Sequence, residues 1–467
     1  MNEHIHTKVL VVGGGPGGYV AAIRAGQLGL ETTLVEADRL GGTCLVRGCI
    51  PSKAIIHVAG EFEAMTRASR AKGRHGISLA SAPVLDMPAL VRWKEGIVHK
   101  LNAGVAALLK RANVRVIEGW ATFSDAKTCT VEGKSAPVTV TAEHVILANG
   151  SLPVELPSLP FGGDVVSSTE ALSFDAMPKR LVVVGAGYIG LELGTAFRKL
   201  GAEVTVVEAL DRILPLYDAE LVAPVRKWLT RSGVTVHLGA KAQSLDNGAV
   251  VIETKDGLCE RLPADKVLVT VGRRPNTQGW GLERMAVDMA AQYVKIDDQC
   301  RTSMKNVWAI GDLTGEPLLA HRAMAQGEMV AEIIAGAKRR FDPIAIAAVC
   351  FTEPEIVSAG RLPTDPSVKS EETITAHFPF AANGRALSMD AAEEGGFVRV
   401  LACKDGHRVL GIQAVGAHVS ELSGEFAHAL EMGAVLEDIA GTIHAHPTLG
   451  EAFHESVLRA LGHALHI

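Results

Sequence analysis

The sequence predicts an α/β protein with two parallel-sheet units and a separate α+β domain at its C-terminal end. Three observations predict it. Glycine is the compositional outlier, at 48 of 467 residues, and it is clustered. A strand, glycine turn, helix, strand pattern occurs twice. From Ile344 onward the pattern changes to alternating runs such as Phe397–Leu401 and a helix over Glu421–Met432, with no third copy. At ~100–200 residues per domain the chain should hold roughly two to four domains. With 48% apolar and 21% charged residues it has the balance of an ordinary globular protein, and wholesale disorder is excluded. A net charge of −6 gives no bulk attraction for nucleic acid or anionic lipid. No apolar run approaches the ~18 residues of a membrane span. The first residues, MNEHIHTKVLVV, lack a basic n-region and a small-residue cleavage site, so the chain is expected to be cytoplasmic.

The first unit opens with the β-branched run Lys8–Val12. The turn Gly13-Gly14-Gly15-Pro16-Gly17-Gly18 follows, then a helix to about Leu28 and a strand Thr32–Val35. Gly13, Gly15 and Gly18 fit G-x-G-x-x-G: the first allows the turn, the second admits a pyrophosphate, and the third lets helix pack on strand. Phosphate then meets free N–H groups at the helix N-terminus. Glu36, 23 positions after Gly13, ends the second strand where a carboxylate can accept from both ribose hydroxyls. A lone motif of this kind could serve packing alone.

The second unit removes that ambiguity. Arg180–Val184 leads into Gly185-Ala186-Gly187-Tyr188-Ile189-Gly190, a helix to about Leu200, and the strand Val204–Val207 ending in Glu208, again 23 positions after the first glycine. Two dinucleotides are therefore expected, one in each of two Rossmann-like domains. Glu208 selects the second: a carboxylate at the ribose 2′-OH suits NAD and repels the 2′-phosphate of NADP. Arg212 is close enough in sequence to argue the opposite, but the acid at the strand end outweighs it.

Cys44 and Cys49 lie in Gly41-Gly42-Thr43-Cys44-Leu45-Val46-Arg47-Gly48-Cys49-Ile50-Pro51-Ser52-Lys53, before an apolar helical stretch at Ala54–Ala59. Such a spacing allows a redox pair, half a zinc site or two unrelated buried thiols. Zinc needs two more close ligands, and only His57 is near, so no metal is expected. Cysteines 129, 259, 300, 350 and 403 are scattered singly and read as small buried hydrophobes.

These residues resemble the flavin disulfide reductase family. The likeness spans the chain, through GGGPGG at 13–18, GGTC…GCIPSK at 41–53, GAGYIGLE at 185–192, VGRRPN at 271–276, AIGD at 309–312 and HAHPTLGEAF at 444–453. It is closest to the branch that oxidises protein-bound dihydrolipoamide as the E3 subunit of 2-oxo acid dehydrogenase complexes, with a branched-chain complex as the guess. The resemblance implies FAD in the first unit, NAD in the second and a Cys44–Cys49 disulfide against the flavin. It also implies a homodimer with shared active sites, whose partners are lipoyl domains and an E2 core.

The resemblance assigns further residues. Asp312 bonds the ribityl chain, and the helix from Ala320 aims its N-terminus at the flavin. Lys53, paired with Glu192, lies beside it. Gly42, Thr43, Gly119, Gly150, Ile189 and Gly272 complete the cofactor-binding positions. Read alone, Lys53 would be a solvated lysine and Glu192 a helix-surface carboxylate. Pro447, Thr448 and Glu451 in isolation read as a helix start with a capping box. The resemblance instead makes His446 of the second subunit the base that takes a substrate proton, oriented by Glu451. A substrate thiol then attacks Cys44, and Cys49 passes electrons to FAD. Three departures from the family pattern stand out: Val46-Arg47 replaces Asn-Val, Asn149 replaces Thr, and the segment from Gly360 to Glu371 is short. Arg47 there either favours thiolates or points to solvent, and the sequence leaves the two equal. Members with a further cysteine pair near the C-terminus are excluded, because no cysteine follows Cys403. The expected domains are 1–150 (FAD), 151–275 (NAD), 276–343 (central, completing the FAD site) and 344–467 (interface).

Overall fold

The computed structural model describes residues 3–70, 73–133, 136–368 and 371–467. The chain begins with β1 (Glu3–Val12), α1 (Pro16–Gln27) and β2 (Thr32–Glu36), then α2 (Gly42–Arg47), α3 (Cys49–Ala68) and α4 (Met87–Arg111). Strands β3 (Arg115–Glu118), β4 (Trp120–Phe123), β5 (Thr128–Glu132) and β6 (Val138–Leu147) complete the first sheet, ordered β3-β2-β1-β6-β5-β4. Central β1 runs parallel to β2 and β6. Its residues Val9–Val12 are buried, as expected for a parallel strand covered on both faces. Helix α4 starts at Met87 because the Asp86 side chain accepts from the Ala89 N–H at 2.9 Å.

Short β7 (Ser151–Pro153), β8 (Val165–Val166) and α5 (Ser168–Ala171) lead into the second unit, β9 (Arg180–Val184), α6 (Tyr188–Lys199) and β10 (Glu203–Glu208). After α7 (Ala219–Arg231) come β11 (Thr235–Leu238), an antiparallel excursion β12 (Lys241–Asp246), β13 (Ala249–Glu253) and β14 (Cys259–Pro263), and then β15 (Lys266–Val269). The second sheet is ordered β11-β10-β9-β15-β8 and all its pairings are parallel. The return strand β16 (Arg273–Pro275) pairs antiparallel with β7.

The chain then returns to the first sheet. Past a small ribbon, β17 (Met289–Ala290) with β18 (Tyr293–Val294), strand β19 (Val307–Ala309) pairs parallel with β6. Helix α8 (Ala320–Ile334) crosses α1 closely enough that a methyl on Gly327 would lie 2.3 Å from the Gly17 carbonyl oxygen. The Gln326 side chain accepts from the Gly311 N–H at 2.8 Å and fixes the turn that presents Asp312.

The last sheet, β20 (Ala348–Cys350), β21 (Glu355–Gly360), β22 (Thr373–Pro379), β23 (Phe397–Cys403) and β24 (Val409–Gly416), is antiparallel in the order β20-β21-β24-β23-β22. Helices α9 (Gly384–Ser388), α10 (Ser423–Glu431), α11 (Leu436–Ala440) and α12 (Glu451–Ala460) accompany it, and the buried rings of Phe426 and Phe453 meet edge to face. The helix expected over Glu421–Met432 starts as a 3-10 turn, Val419–Leu422, before α10 takes over. Residues 369 and 370 of the short Gly360–Glu371 segment lie outside the described residues. Buried Arg399 of β23 donates to Asp218 at 2.5 Å and Glu220 at 2.7 Å, cross-linking this sheet to the start of α7. Among the described residues, no helix is long and apolar enough to cross a membrane.

Candidate active site

A cavity of about 380 Å³ opens above the C-terminal ends of β1 and β2. Of the residues singled out in sequence, Gly13, Gly15, Glu36, Gly42, Thr43, Cys44, Cys49, Lys53, Gly119, Gly150, Ile189, Glu192, Asp312 and Ala320 line it. Gly18, Gly185, Gly187, Gly190, Glu208, Gly272, His446 and Glu451 do not.

The three motif glycines separate by what surrounds them. Gly13 has φ +102°, and a methyl there would lie 2.3 Å from the Ala148 carbonyl oxygen. One on Gly18 would lie 1.8 Å from the Gly13 oxygen. These two are demanded by the fold itself. Gly15 is not: its nearest neighbour would be the Gly42 Cα at 3.9 Å, so the space it leaves is space in the cavity. Gly15 also caps α1, whose first N–H groups have no side-chain cap. The Glu36 carboxylate accepts from Gly14 at 2.6 Å and Asp38 at 2.8 Å. Burial raises its pKa against those hydrogen bonds. Asn149 Oδ1, on the cavity wall, is buried without a protein partner.

The second unit repeats this geometry. Gly185 again has φ +102° and its methyl would lie 2.6 Å from the Thr270 oxygen, while one on Gly190 would lie 2.2 Å from the Gly185 oxygen. Around Gly187 nothing lies within 4 Å of the added methyl. Glu208 accepts from Ala186 at 2.7 Å and from Leu210 at 2.8 Å. The Arg212 guanidinium donates to the Pro215 carbonyl at 3.0 Å, within its own loop. Helix α6 joins the two sites, because Tyr188, Ile189, Glu192 and Leu193 of its first turns face the first cavity.

The cysteines meet at a helix break. Gly48, at φ −142° and ψ −111°, ends α2 and caps α3, of which Cys49 is the first residue. Both cysteines are free thiols, with a hydrogen bond between them. Of the scattered cysteines, 129, 300 and 350 are buried as expected, but Cys403 is only half-buried and Cys259, on the edge strand β14, is exposed. The hydrogen bond between Cys44 and Cys49 holds the Cys49 thiol below its usual value, with Lys53 assisting. The same bond and burial push Cys44 far up. Cys49 is therefore the sulfur that ionises first, at a helix N-terminus as such thiolates favour. Arg47 does not supply the helping charge: it is ion-paired with Asp38, and Val46 is buried in the core. The cation acting on the thiols is Lys53.

Lys53 Nζ donates to Glu192 Oε2 at 2.8 Å. Glu192 is buried rather than on a helix surface, and its other oxygen accepts from the Phe351 N–H at 2.9 Å. Asp312 accepts from Ser151 at 2.5 Å, and Ser151 is held by Arg273 through its hydroxyl at 2.8 Å and carbonyl at 2.7 Å. Ser151, Arg273 and Tyr188 all line the cavity and were not singled out in sequence, although Arg273 stands in VGRRPN and Tyr188 in GAGYIG. Only the pairing of β7 with β16 brings Ser151 to Arg273.

The His446 pair lies elsewhere. His446 Nδ1 is 2.8 Å from Glu451 Oε1, and its side chain is 80% exposed, so Nε2 is open to an incoming group. Burial pushes Glu451 up, but the Thr448 N–H and His446 outweigh it and hold the carboxyl below its usual range. The expected capping box is half present. Glu451 accepts from the Thr448 N–H at 2.8 Å, but the Thr448 hydroxyl donates to the Ala445 carbonyl. Helix α12 begins at Glu451 with Gly450 as its cap, not at Pro447.

A family model of pyridine nucleotide-disulphide oxidoreductases matches residues 7–327, and one for their dimerisation domain matches 346–457. A dihydrolipoyl dehydrogenase of Pseudomonas aeruginosa is 59% identical, the match covering 100% of each chain. One of Geobacillus stearothermophilus is 42% identical over 99% of this chain and 98% of its own. The solved LpdA structure from Mycobacterium tuberculosis superposes with a TM-score of 0.87 at 27% identity, covering 97% of this chain and 99% of that one. The HOCl-induced flavoprotein disulfide reductase RclA of Escherichia coli, at 23% identity, TM-score 0.85 and coverage of 96% and 99%, shares the fold. With the thiol pair and the two glycine loops in place, the chain belongs to the dihydrolipoyl dehydrogenases of the pyridine nucleotide-disulphide oxidoreductase family.

Proposed function

We propose a division of labour among these residues for a chain that oxidises dihydrolipoamide with NAD by way of FAD, as a homodimer. The observation that supports it best is the Cys44–Cys49 pair on the cavity wall, with Lys53 charge beside it. The first cavity fits FAD: Gly15 leaves room at a helix N-terminus, Glu36 ends the strand beside it, and Asn149 Oδ1 lacks a protein donor. The second loop fits NAD on the same grounds, through Gly187 and Glu208. FAD, when bound, supplies the electron acceptor between thiols and nicotinamide.

The protein side of the reaction is then assigned. His446 of the partner subunit takes the proton of one substrate thiol at Nε2, while Glu451 fixes Nδ1 and steadies the imidazolium. The substrate thiolate attacks Cys44 of the disulfide form and Cys49 leaves as thiolate. The second substrate thiol displaces Cys44, releasing the cyclic disulfide product. Cys49 remains as the anion beside Lys53. The lipoyl domains and E2 core of a 2-oxo acid dehydrogenase complex are the proposed partners, a branched-chain complex the proposed assembly, and the cytoplasm the proposed location. The expected boundaries 1–150, 151–275, 276–343 and 344–467 stand as the proposed domains.

Two variants test the assignment. His446→Gln should lower dihydrolipoamide oxidation by ~10²–10⁴-fold, the usual range for a lost acid–base group, and leave NADH oxidation by an artificial electron acceptor intact. Dihydrolipoamide turnover near wild type would remove His446 from the mechanism. In the two-electron-reduced enzyme, the long-wavelength thiolate–flavin band should grow with pH around a midpoint below that of an ordinary cysteine thiol, the direction in which Cys49 is shifted. Cys49→Ser should abolish that band.

A further inference from the structure

We propose that Phe351, which enters from the C-terminal sheet, is a positioning residue for the Lys53 ammonium and through it for the Cys49 sulfur. This rests on the assignment of Cys49 as the flavin-side thiolate made above. Lys53 Nζ sits 4.3 Å from the centroid of the Phe351 ring, a cation–π distance. The backbone of the same residue donates to Glu192 Oε1 at 2.9 Å while Lys53 holds Glu192 Oε2 at 2.8 Å. One residue thus touches both members of the ion pair, with its ring on the cation and its N–H on the anion. Phe351 does not line the cavity, so it acts from behind Lys53.

The arrangement has a physical reason. The Lys53 side chain is 32% exposed, so other rotamers lead its charge out to solvent. Glu192, at 5% exposure, cannot follow it. An aromatic face attracts the ammonium without adding a second negative charge, so the cation stays close to Cys49 with its field less neutralised than a second carboxylate would leave it. The groups acting on Cys49 are Cys44 and Lys53 from the α2–α3 segment and Glu192 from α6; Tyr188 and Arg273 are also coupled to it. Only the Lys53 contribution passes through the Phe351 ring.

The test replaces Phe351 in the FAD-loaded dimer with mono-, di- and trifluorophenylalanine. These keep the ring's shape and its backbone N–H while draining its negative face. The pH midpoint of the thiolate–flavin band should climb stepwise, reaching roughly half a pH unit at three fluorines. Phe351→Leu should show the full rise and Phe351→Tyr should restore the wild-type midpoint. A midpoint that stays flat across the fluorinated series would overturn the proposal, leaving the ring a packing residue. A band that persists in Cys49→Ser would instead overturn the assignment of Cys49 beneath it, so the two failures are told apart.

Discussion

The two nucleotide units are built on nearly the same backbone, yet they are set in different surroundings. Gly13 and Gly185 share φ +102°, the helix caps Gly15 and Gly187 share an extended conformation, and each acid accepts from the N–H of the residue just after the motif's first glycine, Gly14 or Ala186. What differs is the cover. Above the first loop lie the cysteine-bearing α2, the start of α3, the 310–323 segment and the first turns of α6. The glycines of the second loop line no part of that cavity. A motif makes a phosphate cradle, and the neighbours decide what chemistry stands beside it. Those neighbours put the thiol pair beside the first cradle, where the proposed flavin would take its electrons.

Substitutions at the glycines should separate folding from binding. The largest effect is expected for Gly18→Ala and Gly190→Ala, whose methyls would lie 1.8 Å and 2.2 Å from backbone oxygens. Each should cost at least ~3 kcal/mol, the upper range of overpacking, read as a loss of denaturation midpoint in urea. Gly15→Ala comes next. The methyl meets only open space, so the apoprotein should stay within about 1 kcal/mol of wild type while FAD binds at least ~10-fold more weakly in reconstitution titrations. Normal flavin binding there would break the parallel with phosphate cradles.

Gly187→Ala should keep the flavin and raise KM for NAD by ~10-fold with little change in kcat, because the lost contact belongs to the exchanging nucleotide. Glu208→Ala acts on nucleotide selectivity with a change of similar size. Wild type should prefer NAD over NADP by at least ~10-fold in kcat/KM, ~1.4 kcal/mol, and the variant should approach parity. Arg212→Ala sets the floor. Its guanidinium is held by the Pro215 carbonyl, so nucleotide preference should move by less than ~2-fold. A large gain of NAD preference in that variant would show that Arg212 reaches the 2′-phosphate of NADP.

Sequence alone determined both nucleotide units, the cysteine pair and the change of pattern near Ile344. These are local matters: a turn needs its glycines, a strand its β-branched run, and an acid at a fixed offset lands at the strand end by chain geometry. It also marked Lys53, Glu192 and Asp312, but only through resemblance, since nothing near them in the chain shows a lysine paired across 139 positions. Local reading failed where competing contacts are not local. Pro447 and Thr448 look like a helix start, but the Thr448 hydroxyl is drawn to Ala445 and α12 waits until Glu451. The sequence leaves Arg47 balanced between the thiols and solvent, and the structure pairs it with Asp38 across the loop. Tertiary structure alone decided that Arg273 supports Ser151, that Phe351 backs Lys53, and which loop has the thiol pair above it. Each depends on strands or helices from distant segments meeting, and burial there sets the charge balance that a linear pattern does not carry.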